Sequence, residues 1–132
     1  MTIVLGQRSL SRLEGVHPDL VRVVKKAAAM SPLDFMVLEG LRTLDRQRQL
    51  MSAGATKTMN SRHLTGHAVD LASMIGGTVR WDWPLYHQLA AVVKDAAKAE
   101  NVPIQWGGDW RTFKDGPHWE LPWKAYPKGE IT

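Results

Sequence analysis

The sequence predicts an α+β domain, a small and mainly antiparallel sheet flanked by helices. Three observations carry that expectation. Two stretches repeat apolar residues at helical spacing: Leu20, Val23, Val24 and Ala27, then Leu85, Leu89, Val92, Val93 and Ala96. Around them lie apolar runs too short for helices, Phe35–Leu38, Ala68–Leu71 and Ile104–Trp106. Gly76-Gly77 separates two of the extended stretches as a hairpin turn would.

Each element has a local reason. Residues 1–15 are mixed, with Leu10 and Leu13 spaced for a short helical turn. His17-Pro18-Asp19 opens the first long helix, because proline fits the first helical position and Asp19 faces the positive dipole end. Arg22, Lys25 and Lys26 take its outer face, and Pro32 ends it near Met30. Phe35–Leu38 reads as a buried strand that delivers Glu39-Gly40-Leu41-Arg42 to its end. Thr43 caps a helix from Leu44 to Ala53, which Gly54 terminates. Residues 54–62 are rich in Gly, Thr, Lys, Asn and Ser and form a loop.

Gly66 then bends the chain so that His63 and Asp70 can meet. Ala68–Leu71 follows as a strand, with Asp70 on one face and Val69 and Leu71 on the other. Thr78–Trp81 returns as its hairpin partner, and Asp82 and Pro84 announce the longest helix. Asn101 and Pro103 stop that helix before Ile104–Trp106. Gly107–Trp110 is a loop, and the last strand runs from about Pro117 to Leu121. The tail from Pro122, with Pro127 and Gly129, is expected to be extended or loose. The six tryptophans all lie in the C-terminal half and should serve mostly as core and cleft wall.

Composition narrows the function classes. A chain of 132 residues suits one domain with its own core. The absence of cysteine excludes disulfides and thiolate metal sites. Met1–Arg8 lacks a basic region followed by an apolar run, and no stretch approaches the ~20 apolar residues of a membrane span. Synthesis in the cytoplasm is therefore expected. A net charge of +4 favours anionic partners such as nucleic acid, acidic lipid or cell-wall polymer. No Lys/Arg run and no nucleic-acid motif selects the first of these.

The chemistry concentrates in Ser61–Asp70 and Asp115–Glu120. His63, Asp70 and His118 make a facial set for zinc, which at catalytic sites takes three protein ligands and leaves a fourth position to water. Such a water becomes a nucleophile near neutral pH and needs a carboxylate to take its proton. Asp115 and Glu120 compete for that task, since Glu120 shares a strand face with His118. The alternative for Asp70 is a turn-capping aspartate. For Arg42 it is a surface arginine or a partner for a nearby carboxylate. His17, His67 and His87 fit structural positions.

The pattern Ser-x-His-x-x-Gly-x-Ala-x-Asp followed by Asp-x-x-His resembles the LAS-type zinc peptidases. These include D-Ala-D-Ala carboxypeptidases and dipeptidases and phage L-alanyl-D-glutamate endolysins. Glu39–Thr43 and Trp106–Trp110 are similar to stretches of the endolysin branch, and the resemblance covers about residues 35 to 123. It implies the D-Ala-D-Ala peptidase/hedgehog type of fold and a zinc ion on His63, Asp70 and His118. It also implies Asp115 as the catalytic carboxylate and Arg42 steadying the negative oxygen of the transition state. Ser61 would lie near the substrate, and Glu120 becomes a supporting carboxylate. Trp106 or Trp110 is expected to face the substrate.

The expected protein is a single catalytic domain over residues 1–132, without a separate cell-wall-binding domain. It would act as a monomeric phage or prophage endolysin, cutting the L-Ala–D-Glu bond of peptidoglycan stem peptides after holin-dependent release from the host cytoplasm. A D,D-carboxypeptidase or D-Ala-D-Ala dipeptidase would use the same metal site. A zinc-stabilised binding module without turnover is the alternative from another class, and a nucleic-acid binder is the weakest.

Overall fold

The computed structural model describes residues 5–55 and 61–127. Helix α1 is Gln7–Arg12, α2 is Pro18–Met30, α3 is Leu44–Ser52 and α4 is Trp83–Ala99. Strands β1 (Phe35–Glu39), β2 (Ala68–Ile75), β4 (Gln105–Trp106) and β5 (His118–Glu120) form an antiparallel sheet in the order β1-β2-β5-β4. Strand β3 (Thr78–Val79) pairs with the far end of β2. The predicted class, helices around a small antiparallel sheet, is the observed one.

The core forms where the two long helical stripes meet the sheet. Leu20, Val23, Val24 and Ala27 of α2 and Leu89, Val93 and Ala96 of α4 bury together with Val37, Val69, Leu71 and Trp119 of the strands. His17 caps α2, its Nδ1 accepting from the Asp19 amide at 3.1 Å. Helix α1 braces β1 at two points: Arg12 donates to the Val37 carbonyl at 2.9 Å, and Ser9 accepts from the Val37 amide at 3.0 Å. Thr43 caps α3 by accepting from Arg46 N at 3.1 Å. That helix buries Gln47 rather than an apolar stripe, which suits a lateral position beside the cleft described below.

Several boundaries differ from the sequence expectation for physical reasons. Strand β2 continues past Leu71 to Ile75 because Ala72 and Ser73 pair with Met36 and Phe35. Strand β3 ends at Val79 rather than Trp81, and only the Arg80 amide bonds onward, to Ser73 at 2.9 Å. Residues Gly107–Asp109 wind into a short 3₁₀ turn instead of an open loop. The tail is tied down rather than loose. Tyr126 donates from its hydroxyl to Asp19 at 2.7 Å, and its carbonyl accepts from Arg62 at 2.6 Å. Gly129 and residues 56–60 lie outside the described residues.

Gly66 performs the predicted bend. It sits at φ +75° at the end of the 3₁₀ turn Arg62–Thr65, and a Cβ there would stand 2.3 Å from the Gly15 carbonyl oxygen. Gly66→Ala is therefore expected to destabilise by at least ~1–3 kcal/mol from the left-handed backbone alone. The clash with Gly15 adds to that. Thermal unfolding against wild type measures it, and an unchanged midpoint would refute the steric account.

Candidate metal centre and its cleft

Three elements bring the histidine–aspartate set together. His63 lies on the 3₁₀ turn, whose start Ser61 caps by accepting from the His63 amide at 3.2 Å. Asp70 lies on β2, directly across from His118 of β5 and Glu39 of β1. Strand alternation buries Val69 and Leu71 beneath it. His63 Nε2 stands 3.2 Å and His118 Nδ1 3.4 Å from the same Asp70 Oδ1. One donor atom from each of the three lies within 4.8 Å of the others.

The second nitrogen of each imidazole tests whether a cation fits. His63 Nδ1 is 2.9 Å from the Gly40 carbonyl oxygen, an acceptor only, so it carries the proton and Nε2 keeps its lone pair. His118 Nε2 is 2.7 Å from Glu120 Oε1, which leaves Nδ1 free to coordinate. Outer acceptors that fix the tautomer in this way are the usual support of metal-ligating histidines. Two neutral imidazoles and a carboxylate facing one point suit zinc or a similar divalent transition ion. The residues fit the group.

Charge in the cleft is strongly biased by these contacts. With no cation bound, burial pushes Asp70 upward, but hydrogen bonds from His118 and His63 in their protonated forms outweigh it and hold the carboxyl well below its ordinary range. Burial likewise opposes a charged His118, yet the hydrogen bonds to Asp70 and Glu120 raise it to about 9. Asp115 is pushed up, first by burial and then by the Asp70 charge, with His118, His63 and Arg42 opposing. A carboxyl raised toward neutrality is better matched to passing protons than an ordinary aspartate.

Asp115, Arg42, Ser61, Glu120 and the three ligands line one cleft of about 360 Å³. Asp115 is held by backbone on both sides: its amide donates to Gly107 O at 3.0 Å, and its carbonyl accepts from His118 N at 3.2 Å. A Cβ on Gly107 would fall 2.4 Å from the Asp115 carbonyl oxygen and 3.0 Å from His118 Cβ, so this approach requires glycine. Arg42 donates from Nε to Glu39 and from Nη1 to Gln47 Oε1 at 2.7 Å, which fixes the guanidinium in the cleft wall. Arg42 thus pairs with a carboxylate, one of its two readings, and lines the cleft.

Trp106 is placed elsewhere. It is 3% exposed, stacks on Trp119 at 5.7 Å and donates to the Gly116 carbonyl at 2.7 Å. It supports the Asp115–His118 segment from the core, and of the two candidates Trp110 is the one that lines the cleft, 5.0 Å from the His118 ring. Strand alternation explains the swap, since Gln105 points out and Trp106 in. His67 bonds Thr65 at 2.6 Å and lies 5.5 Å from the His17 ring, which accords with a structural position. Glu39, Gln47, Arg62 and Trp123 were not singled out as site residues by sequence reasoning. Glu39 alone had a signal, its place at a strand end three residues before Arg42.

Glu120→Gln is expected to weaken divalent-metal affinity by roughly 10–100-fold, because the supporting anion behind His118 is lost. Competition with a chelating dye measures this, and unchanged affinity would remove Glu120 from the site.

Fold and cleft together define a small α+β domain with a ready set of ligands for one divalent ion in a single cleft. The family model of the phage L-alanyl-D-glutamate peptidase matches residues 1–122. The chain belongs to that family. It is 38% identical over 129 residues to the L-alanyl-D-glutamate peptidase of Listeria phage A118, covering 96% of this chain and 45% of that protein. It is 29% identical over 135 residues to the L-alanyl-D-glutamate peptidase of Escherichia phage T5, covering 99% of this chain and 98% of that one. Among solved structures, the Serratia marcescens L-Ala D-Glu endopeptidase ChiX superposes with a TM-score of 0.87 at 50% identity, covering 92% of this chain and 91% of that one. Among the described residues, no helix is long and apolar enough to cross a membrane.

Proposed function

We propose that this chain is a zinc-dependent endopeptidase of phage or prophage origin that hydrolyses the L-Ala–D-Glu amide of peptidoglycan stem peptides during host lysis. The observation that carries the reading is the convergence of His63, Asp70 and His118 with Asp115 and Arg42 in one cleft. Family membership and the names of its relatives support the bond cut.

Zinc held by His63, Asp70 and His118 would supply Lewis acidity and lower the pKa of a water toward ~7. Asp115 accepts the proton of the attacking water as its oxygen bonds to the carbonyl carbon. The same carboxyl then delivers that proton to the leaving nitrogen as the C–N bond breaks. The second proton of the water follows onto the same nitrogen, so the products are a carboxylate on L-alanine and an ammonium on D-glutamate. Arg42, held by Glu39 and Gln47, aims a fixed positive charge at the carbonyl oxygen as its negative charge grows. Ser61 sits at the cleft rim beside His63 as a contact for the peptide. The one domain suffices for catalysis as a monomer, and access to the wall depends on a holin.

Digestion of purified peptidoglycan by wild type and by Asp115→Ala, with fragments read by mass spectrometry, tests this. New amino-terminal D-Glu, absent with the variant, is the expected result. Release of D-Ala alone would move the chain to the D,D-peptidases, and no cleavage by zinc-loaded wild type would sink the hydrolase reading.

A further inference from the structure

The cleft has two chemically different ends. From β1 come the Glu39–Arg42 ion pair and, from the neighbouring helix, Gln47 behind it. From the segments around β5 come two indoles, Trp110 and Trp123. Trp123 belongs to the tail after β5, and the side chain that fixes it is Arg62, the residue immediately before the ligand His63.

Arg62 is 2% exposed. Its Nε and Nη2 donate to the Leu121 carbonyl at 3.2 and 2.9 Å, and Nη2 also to the Tyr126 carbonyl at 2.6 Å. Its guanidinium carbon lies 4.2 Å from the Trp123 ring centroid, a cation–π distance. The fork thus grips the tail on both sides of Trp123 and backs the indole. Trp123 still keeps 38% of its surface exposed, and it lines the cleft. A large apolar face left open beside a polar hydrolytic centre, and held there by a buried arginine, is built to meet a flat, C–H-rich partner.

On the reading of this cleft as a stem-peptide hydrolase, the scissile bond is flanked by an alanine methyl and a glutamate carboxylate. Neither offers a flat apolar face. The pyranose ring of the muramyl sugar, joined to the alanine nitrogen through its lactyl group, does. We propose that Trp123 is a substrate-binding wall that stacks on this sugar ring, with Arg62 as the positioning residue that holds it. The site would therefore bind sugar-bearing stem peptides in preference to free ones.

Metal-free protein titrated with muramyl-L-Ala-D-isoglutamine, and with the same dipeptide lacking the sugar, tests the wall without relying on turnover. The readout is the Trp123 indole N–H signal in NMR, assigned through Trp123→Phe, together with affinities by calorimetry. Wild type is expected to favour the sugar-bearing ligand by about tenfold, the factor equivalent to ~1.4 kcal/mol. That preference should fall to about unity in Trp123→Ala and survive in Trp123→Phe. Arg62→Lys, which keeps the charge but not the fork, should reduce the preference while the sugar-free dipeptide still binds. Equal affinities in wild type, or a preference that survives Trp123→Ala, would overturn the proposal. A full preference in Arg62→Lys would overturn the positioning role alone. Preference without hydrolysis by the zinc-loaded enzyme would overturn the peptidase reading and leave the wall standing.

Discussion

Asp115→Asn is expected to lower kcat by roughly 10²–10⁴-fold, the usual contribution of a positioned general acid–base. The amide is nearly isosteric but cannot accept the water proton, so metal content should remain one ion per chain. The loss should also resist added zinc. Glu120→Gln provides the contrast, because it acts through His118 and excess zinc should restore much of its activity. The acid limb of kcat/KM should lie above the ordinary carboxylate value of 3.8, since burial and the Asp70 charge raise Asp115. Steady-state kinetics on a defined stem peptide measures all of these. An Asp115→Asn enzyme within tenfold of wild type would transfer proton handling to another group.

Removal of the divalent ion is expected to abolish hydrolysis outright and to reverse the pH dependence of stability. In the metal-free protein His118 is raised from 6.5 to about 9 by its hydrogen bonds to Asp70 and Glu120. A group raised on folding stabilises fully below its unfolded value and loses that contribution as pH climbs through the folded one. The stripped protein should therefore be more stable near pH 6 than near pH 9.5 as far as His118 is concerned. Asp70 shifts the other way, so its contribution is present above 3.8 and disappears as acid protonates it. Coordination needs His118 neutral, so loading near pH 7 should release about one proton, and affinity should strengthen as pH approaches 9. At ligand 1,000 times Kd, the bound ion adds about 4 kcal/mol to unfolding. Calorimetry in buffers of different ionisation enthalpy counts the proton. Zero release at pH 7 would contradict the His118 assignment.

The ligands were legible because each left a local mark. His63 and Asp70 flank a glycine that the backbone demands, and Asp70 alternates with two apolar neighbours on a strand. The two long helices were legible from periodicity, α3 from its Thr43 cap, and Gly76-Gly77 from turn chemistry. What pairs with what was not. Nothing local places Asp70 opposite His118, because register depends on the partner strand and on the bulge between Val37 and Glu39. The Arg62 fork reaches carbonyls 59 and 64 residues away, and contacts with carbonyls leave no residue-type signature. The same holds for Gln47 behind Arg42, which in the sequence reads as one more polar residue on a polar helix. Trp106 and Trp110 could be separated only by knowing that β4 ends where it does.

The strand order has a consequence for timing. β2 runs between β1, which precedes it, and β5, which is synthesised some fifty residues later. A chain that has extended only through β2 carries His63 and Asp70 but lacks both Asp115 and His118. The long-range pairing that inserts β5 beside β2 is also the slow kind, closing a large loop before it is rewarded. The ligand set is therefore complete only once β5 has been made, and a chain that stops before Asp115 holds two of the three ligands and no partner carboxylate.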